Sequence, residues 1–216
     1  MSDWYKVYLE QIEKNDGCEK YIQSKISQKR KLIKLLLKHG GNGKAIEAGC
    51  GTGIISAYLA SRGFDVTAID VDKNILSLAK ELEEKFYSKN LVNFKNQSIF
   101  DLDYKEDSFD LCYSVGVLEH FSDEEIVNSL SKQIKLAKKT IVVIPTKWFN
   151  DDETLHGDDR FLELSHWRKL ISQSGGKIIK ESSYSFKGKG FAFLKRLKRI
   201  FRPKAYKIFI ICKNND

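Results

Sequence analysis

The sequence predicts an α/β fold, a mostly parallel sheet wrapped by helices on both faces and preceded by a helical cap. Three observations carry this. Short apolar runs alternate with stretches of helical periodicity between residues 44 and 145, the pattern of βαβ units. A glycine-rich turn, "EAGCGTG", follows the first apolar run and opens a helical pattern, and such sheets bind ligands at that point. Ahead of it, residues 2–39 have helical spacing.

The elements follow in order. In the cap, Ile22, Ile26, Ile33, Leu36 and Leu37 fall near one face, and Gly40 and Gly41 stop the helix. "KAIEA" (44–48) reads as a buried strand and "IISAYLASRG" as a helix ending at Gly63. "DVTAID" is the second strand, and Asp72 is placed to N-cap the helix that begins near Lys73. "LVNFKNQ" and "FDLCYSV" are strands, "DEEIVNSLSKQIKLAK" a helix, and "KTIVVIP" a strand ended by Pro145. After a polar, aromatic loop, "ELSHWRKLISQSGG" is a helix, and "KIIKESSYS" and "AYKIFIICK" are two final strands separated by a basic insertion.

At 216 residues and 42% hydrophobic, the chain suits one well-packed domain. No apolar run approaches the roughly 18 residues needed to cross a bilayer, and the charged start "MSDWYKVYLEQIEKNDG" lacks a signal-type core. The expected location is cytoplasmic. Cys18, Cys50, Cys112 and Cys212 are scattered without a CxxC pair, so neither zinc nor a disulfide framework is suggested. Residues 186–207 hold nine Lys or Arg and no Asp or Glu, and subtracting those nine from the formal +8 leaves −1 for the rest. The basic signal is read as belonging to that one segment.

Glycine serves where backbone must approach a ligand or take positive φ. No GxxxxGK[ST] run exists, so a Walker-type phosphate loop is excluded. A dinucleotide GxGxxG would need glycine at position 54, which is Ile54; Gly49, Gly51 and Gly53 form GxGxG instead. Glu47 precedes the loop, and residues 45–53 hold no cation for a pyrophosphate, so the rim suits a ligand that is cationic there. Asp70 stands 21 residues beyond Gly49 at a strand end, where a carboxylate accepts from a ribose diol or caps the next helix.

These residues resemble the class I (Rossmann-like) S-adenosylmethionine-dependent methyltransferases. "EAGCGTG" is similar to their first motif, "AIDVD" to their ribose-binding acid, and "SFDLCYSVGVLEHF" to their fourth strand with its trailing segment, over roughly residues 40–185. The resemblance implies a seven-stranded sheet whose last strand runs antiparallel between the fifth and sixth. It divides one domain, 1–216, into a helical cap (1–40), a cofactor-binding core (41–145) and a substrate-side region (146–216) with its basic insertion at 186–204. It implies S-adenosylmethionine as cofactor, with Glu47 near the methionine end, Gly49, Cys50 and Gly51 beneath it, Asp70 on the ribose and Val71 on the adenine. Ser98 stands where the family commonly has an Asp for the adenine amino group, Ile99 is an apolar adenine contact, and Ser114 and Val115 flank the methionine. Arg30 is a candidate partner for the cofactor carboxylate.

Methyl transfer from a sulfonium is an in-line displacement, so alignment supplies most of the acceleration and a base is needed only for a protonated acceptor. His120 is the candidate base, since it follows the fourth strand and histidine can take a proton near neutral pH; the alternative is that it caps or packs this connection. Glu119 is expected to point elsewhere. Where amino methyltransferases of bases and glutamine resemble one another in carrying Asn or Asp, then Pro-Pro and an aromatic, this chain has "SVGV", which disfavours that chemistry. Trp148, Phe149 and His156 in the loop at 146–161 are candidate acceptor contacts. "HGDD" there reads as a polar turn, and no metal is expected. The stretch "FKGKGFAFLKRLKRIFRP" suits a solvated basic face on the protein's own body, a peripheral membrane or lipid-like acceptor, or, less well, nucleic acid.

The sequence therefore points to a methyltransferase of a small-molecule oxygen or nitrogen acceptor. The rivals are an RNA or protein methyltransferase docking through 186–207, a non-catalytic cofactor-binding module, and an NAD-dependent oxidoreductase. Acceptor identity and oligomeric state are not encoded in any motif.

Overall fold

The computed structural model describes residues 4–146, 160–184 and 205–214. Their central feature is a seven-stranded sheet of order β3-β2-β1-β4-β5-β7-β6. The strands are β1 (Lys44–Ala48), β2 (Asp65–Asp70), β3 (Val92–Asn96), β4 (Phe109–Val115), β5 (Ala137–Pro145), β6 (Gly176–Tyr184) and β7 (Tyr206–Lys213). The first five run parallel; β7 is antiparallel to both β5 and β6 and lies between them. The seven strands and the antiparallel last strand are those expected.

The helices are α1 (Trp4–Lys14), α2 (Cys18–Gln28), α3 (Arg30–Gly40), α4 (Ile54–Ala60), α5 (Lys73–Tyr87), α6 (Asp123–Leu136) and α7 (Leu164–Gln173). Alternation along the strands sorts the core. Ala45, Leu111, Ile141 and Ile210 turn toward α3 and α4, while Ile46, Cys112, Val142 and Ile211 turn toward α6 and α7. Buried on both faces, β1 leaves only Lys44 exposed, as befits a central parallel strand.

The cap is three helices rather than one. The turn at Asn15–Gly17 breaks it, with Asp16 and Gly17 at positive φ (56° and 106°), a conformation an Asp-Gly pair adopts readily. Gly41, left-handed, ends α3 as expected. Asp72 caps α5 through bonds from the backbone N–H of Asn74 (2.7 Å) and Ile75 (3.3 Å), worth about 1 kcal/mol. Ser122 and Glu125 form a reciprocal capping box on α6. Strand order reverses between β1 and β4, so a crevice opens at their carboxyl ends. Among the described residues no helix is long and apolar enough to cross a membrane.

Candidate active site

The glycine loop bridges β1 and α4 at that crevice. Gly49 and Cys50 both donate their N–H to Ile69 O (3.0 and 2.9 Å), pinning the loop to β2. Gly49 and Gly51 have φ +75° and +51°, which side-chain-bearing residues rarely adopt. Above Gly49 lies Val117; above Gly51 lies the Tyr8 hydroxyl, 2.5 Å from where a Cβ would stand. These approaches, as well as the dihedrals, demand glycine.

At the end of β2, Asp70 Oδ2 accepts from Gly51 N–H (3.0 Å) and Oδ1 from Asp72 N–H (3.2 Å). The strand-end acid thus grips the loop, and the capping role falls to Asp72. Burial pushes Asp70 upward, against the backbone donors of Asp72 and Gly51. Each oxygen keeps a lone pair for a diol. Beside it, Val71 is 62% exposed, an apolar surface suited to a base. Ile99 is packed in the core, and the Ser98 hydroxyl accepts from Phe100 N–H (3.1 Å).

Strand alternation turns Glu47, opposite Tyr113 in register, toward α4. Its Oε2 accepts from Ser56 Oγ (2.6 Å) and Tyr113 Oη (3.2 Å), with Glu47 only 3% exposed. Burial lifts the carboxyl to about 7, while the Ser56 hydrogen bond, the Lys29 ammonium and Tyr113 hold it from rising further. Lys29, at the α2–α3 junction, is the cation facing this acid; burial lowers its pKa, opposed by Glu47 and Glu119. Arg30 instead lines a groove with Tyr58, Arg62 and Phe86 on the helical surface. Arg30 and Lys29 thus face different surroundings, because a one-residue step on a helix turns a side chain by 100°. Nothing in the sequence marked Lys29 among its basic neighbours.

Ser114 is 1% exposed at the tip of β4, and its buried Oγ has no hydrogen-bond partner. Such an orphan is costly unless a ligand or water meets it. Val115 packs against the α3-side core. The Cys50 side chain is buried with Ala68 and Leu76, and burial raises its thiol pKa, so only its backbone belongs to the loop. Beyond β4, Leu118–His120 is a single 3-10 turn. There Trp4 of α1 meets His120 edge to face, centroids 5.6 Å apart, and stacks obliquely with Tyr8 at 6.0 Å. Trp4 and Tyr8 are site-facing residues that the helical spacing of the cap did not single out. Glu119, expected to point elsewhere, is 3% exposed and turns inward, its Oε1 3.5 Å from where a Cβ on Gly116 would lie. Trp148, Phe149 and His156 lie outside the described residues. Among the described residues no cluster of three or more His, Cys, Asp or Glu side chains could hold a metal.

A doubly wound sheet with a glycine loop and a strand-end carboxylate at its switch point defines a nucleoside-binding Rossmann-like domain. Residues 45–140, a little under half of the chain, match the family described as methyltransferase domain, and the sheet order is that of the class I methyltransferase fold. Ubiquinone biosynthesis O-methyltransferase of Rickettsia typhi is 33% identical over 91 residues, 42% of this chain and 36% of that protein. Phosphoethanolamine N-methyltransferase of Plasmodium falciparum is 28% identical over 152 residues, 70% of this chain and 56% of that one. The chain spans less than two thirds of the length of the curated relatives it matches. Among solved structures, magnesium protoporphyrin IX methyltransferase of Synechocystis with bound SAH superposes with a TM-score of 0.66 at 17% identity, covering 91% of this chain and 85% of that one. A [4+2]-cyclase superposes with a TM-score of 0.65 at 15% identity, covering 85% and 80%, so the fold by itself does not name the reaction.

Proposed function

We propose that the protein is an S-adenosylmethionine-dependent methyltransferase acting on an oxygen or nitrogen atom of a small molecule. The observation that carries this is the Asp70 carboxylate, bonded to Gly51 N–H beside the buried Glu47 and the facing Lys29. That set complements a ribose carrying a zwitterionic amino-acid end. Asp70 would take the diol, Val71 the adenine face, Glu47 the α-ammonium and Lys29 the α-carboxylate. The orphan hydroxyl of Ser114 would contact the methionine.

When bound, the cofactor supplies an activated methyl group. The chain's part is alignment and exclusion of water, since an in-line displacement is accelerated chiefly by holding the partners in line. Trp4 and Tyr8 wall the crevice against solvent, and His120 stands beside Trp4 to receive a proton from an acceptor that must lose one. The curated relatives named for ubiquinone biosynthesis and phosphoethanolamine support a small acceptor. All four cysteines are free, which supports a reducing, cytoplasmic setting.

The test is incubation with methyl-labelled S-adenosylmethionine and separate pools of small metabolites, RNA and protein from a cell extract. Label should enter the low-mass pool and vanish when Asp70 is replaced. Label in RNA or protein alone would overturn the acceptor class.

A further inference from the structure

The cations of this molecule are distributed unevenly. Away from α3 several are paired with carboxylates: Lys138 with Asp110, Arg168 and Lys207 with Glu181, and Lys213 with Glu106 and Asp107. On the α3 side they are not. Residues 20–46 carry eight Lys or Arg and no Asp or Glu, a second basic stretch hidden in the net charge because acids elsewhere offset it. Lys31, Lys34 and Lys38 form one exposed stripe along α3 at i, i+3 and i+7. Among the described residues none of the three, nor Lys139 or Lys180 beside them, forms an ion pair with a carboxylate.

The strands extend the patch. Lys139 of β5 and Lys180 of β6 lie opposite Leu111 and Ile210, whose side chains face α3, so both lysines belong to the α3 face. They close around His39 with Lys38. The His39 Nε2 is buried with no hydrogen-bond partner. At the other end of the stripe, Lys31 Nζ donates to Ser183 O (2.6 Å). Ser183 lies next to Tyr184, the last residue of β6, after which residues 185–204 carry eight further Lys or Arg and no acid.

We propose that the α3 face, through Lys31, Lys34, Lys38, Lys139 and Lys180, docks the protein onto an anionic lipid bilayer. Three features favour a bilayer over nucleic acid. The stripe is lysine throughout, point charges suited to a diffuse anionic surface rather than to planar, bidentate recognition. The neighbouring edge strand exposes Ile179 (47%) between Ile178 and Lys180, and the basic stretch that follows β6 interleaves Phe191, Leu194, Leu197 and Phe201 with its charges. Buried apolar area strengthens membrane binding and adds nothing to phosphate contacts.

The experiment is flotation of the full-length protein with vesicles of phosphatidylcholine alone or mixed with phosphatidylserine. Wild type should float only with the mixed vesicles, and added salt should release it. The triple variant Lys31→Gln, Lys34→Gln, Lys38→Gln should lose about fivefold in partition per lysine, about a hundredfold in all, while still melting cooperatively, since all three side chains are exposed and, among the described residues, only the Lys31–Ser183 hydrogen bond is lost. The matching triple Arg variant should restore binding. Equal flotation with neutral vesicles, no loss in the Gln variant, or no binding to either vesicle would overturn the proposal. So would lysine-dependent binding of single-stranded RNA in place of vesicles.

Discussion

Replacing Gly49 by alanine asks whether the loop is fixed by its own dihedral and by the turn above it. At φ +75° an alanine is in the left-handed region, and its Cβ would stand 2.7 Å from Val117 Cγ2 and 3.0 Å from Cγ1. The conformation costs about 1–2 kcal/mol. Displacing Val117 adds about 1–3 kcal/mol, because a β-branched side chain has few rotamers into which to retreat. Gly49→Ala should therefore lose about 2–5 kcal/mol in urea denaturation, summing those two contributions. Val117→Ala alone should lose about 1–2 kcal/mol for its half-buried methyls. The double variant should cost less than the two single changes together by about 1–3 kcal/mol, the steric share removed, leaving the dihedral cost. A loss below about 1 kcal/mol for Gly49→Ala, or an additive cycle, would refute the reasoning.

Two further predictions concern the charged pair. Burial places the Glu47 carboxyl near 7 against an ordinary 4.5. With the folded value higher, the folded state holds the proton more tightly, so stability should fall as pH rises through this window, by about 3 kcal/mol in all. Glu47→Gln should flatten that dependence in denaturation midpoints; an unchanged slope would show that Glu47 is not its source. Lys29→Met should weaken S-adenosylhomocysteine about tenfold or more, the effect of ~1.4 kcal/mol, while 5′-methylthioadenosine, which lacks the amino-acid end, stays within about twofold. Arg30→Met should affect neither ligand, and equal losses for both ligands in Lys29→Met would point to a disturbed cap instead.

Much of this was legible because local chemistry and the global fold agree. "FDLCYSV" and "KAIEA" are strands over the predicted residues, since each is a short, mostly apolar run bounded by turn residues. Asp72 was readable as an N-cap because a carboxylate two or three residues ahead of free N–H groups has one geometry available. The extent of α1–α3 was less so, because helical periodicity continues across Asp16 and Gly17 and only their positive φ interrupts it. Other features arise from contacts distant in sequence: Lys29 against Glu47 and Glu119, Tyr8 over Gly51, Trp4 on His120. The α3 patch was obscured for another reason. A net charge of −1 outside 186–207 conceals eight neighbouring cations, and only the sheet brings Lys139 and Lys180 beside them.

The most direct measurement is calorimetric titration of the purified protein with S-adenosylhomocysteine and, separately, NAD, in wild type and in Asp70→Asn. The account predicts that S-adenosylhomocysteine alone binds wild type, and that the variant loses at least about tenfold, since a neutral amide accepts the diol less strongly than a carboxylate. Binding of NAD in place of S-adenosylhomocysteine, or binding indifferent to Asp70, would contradict it.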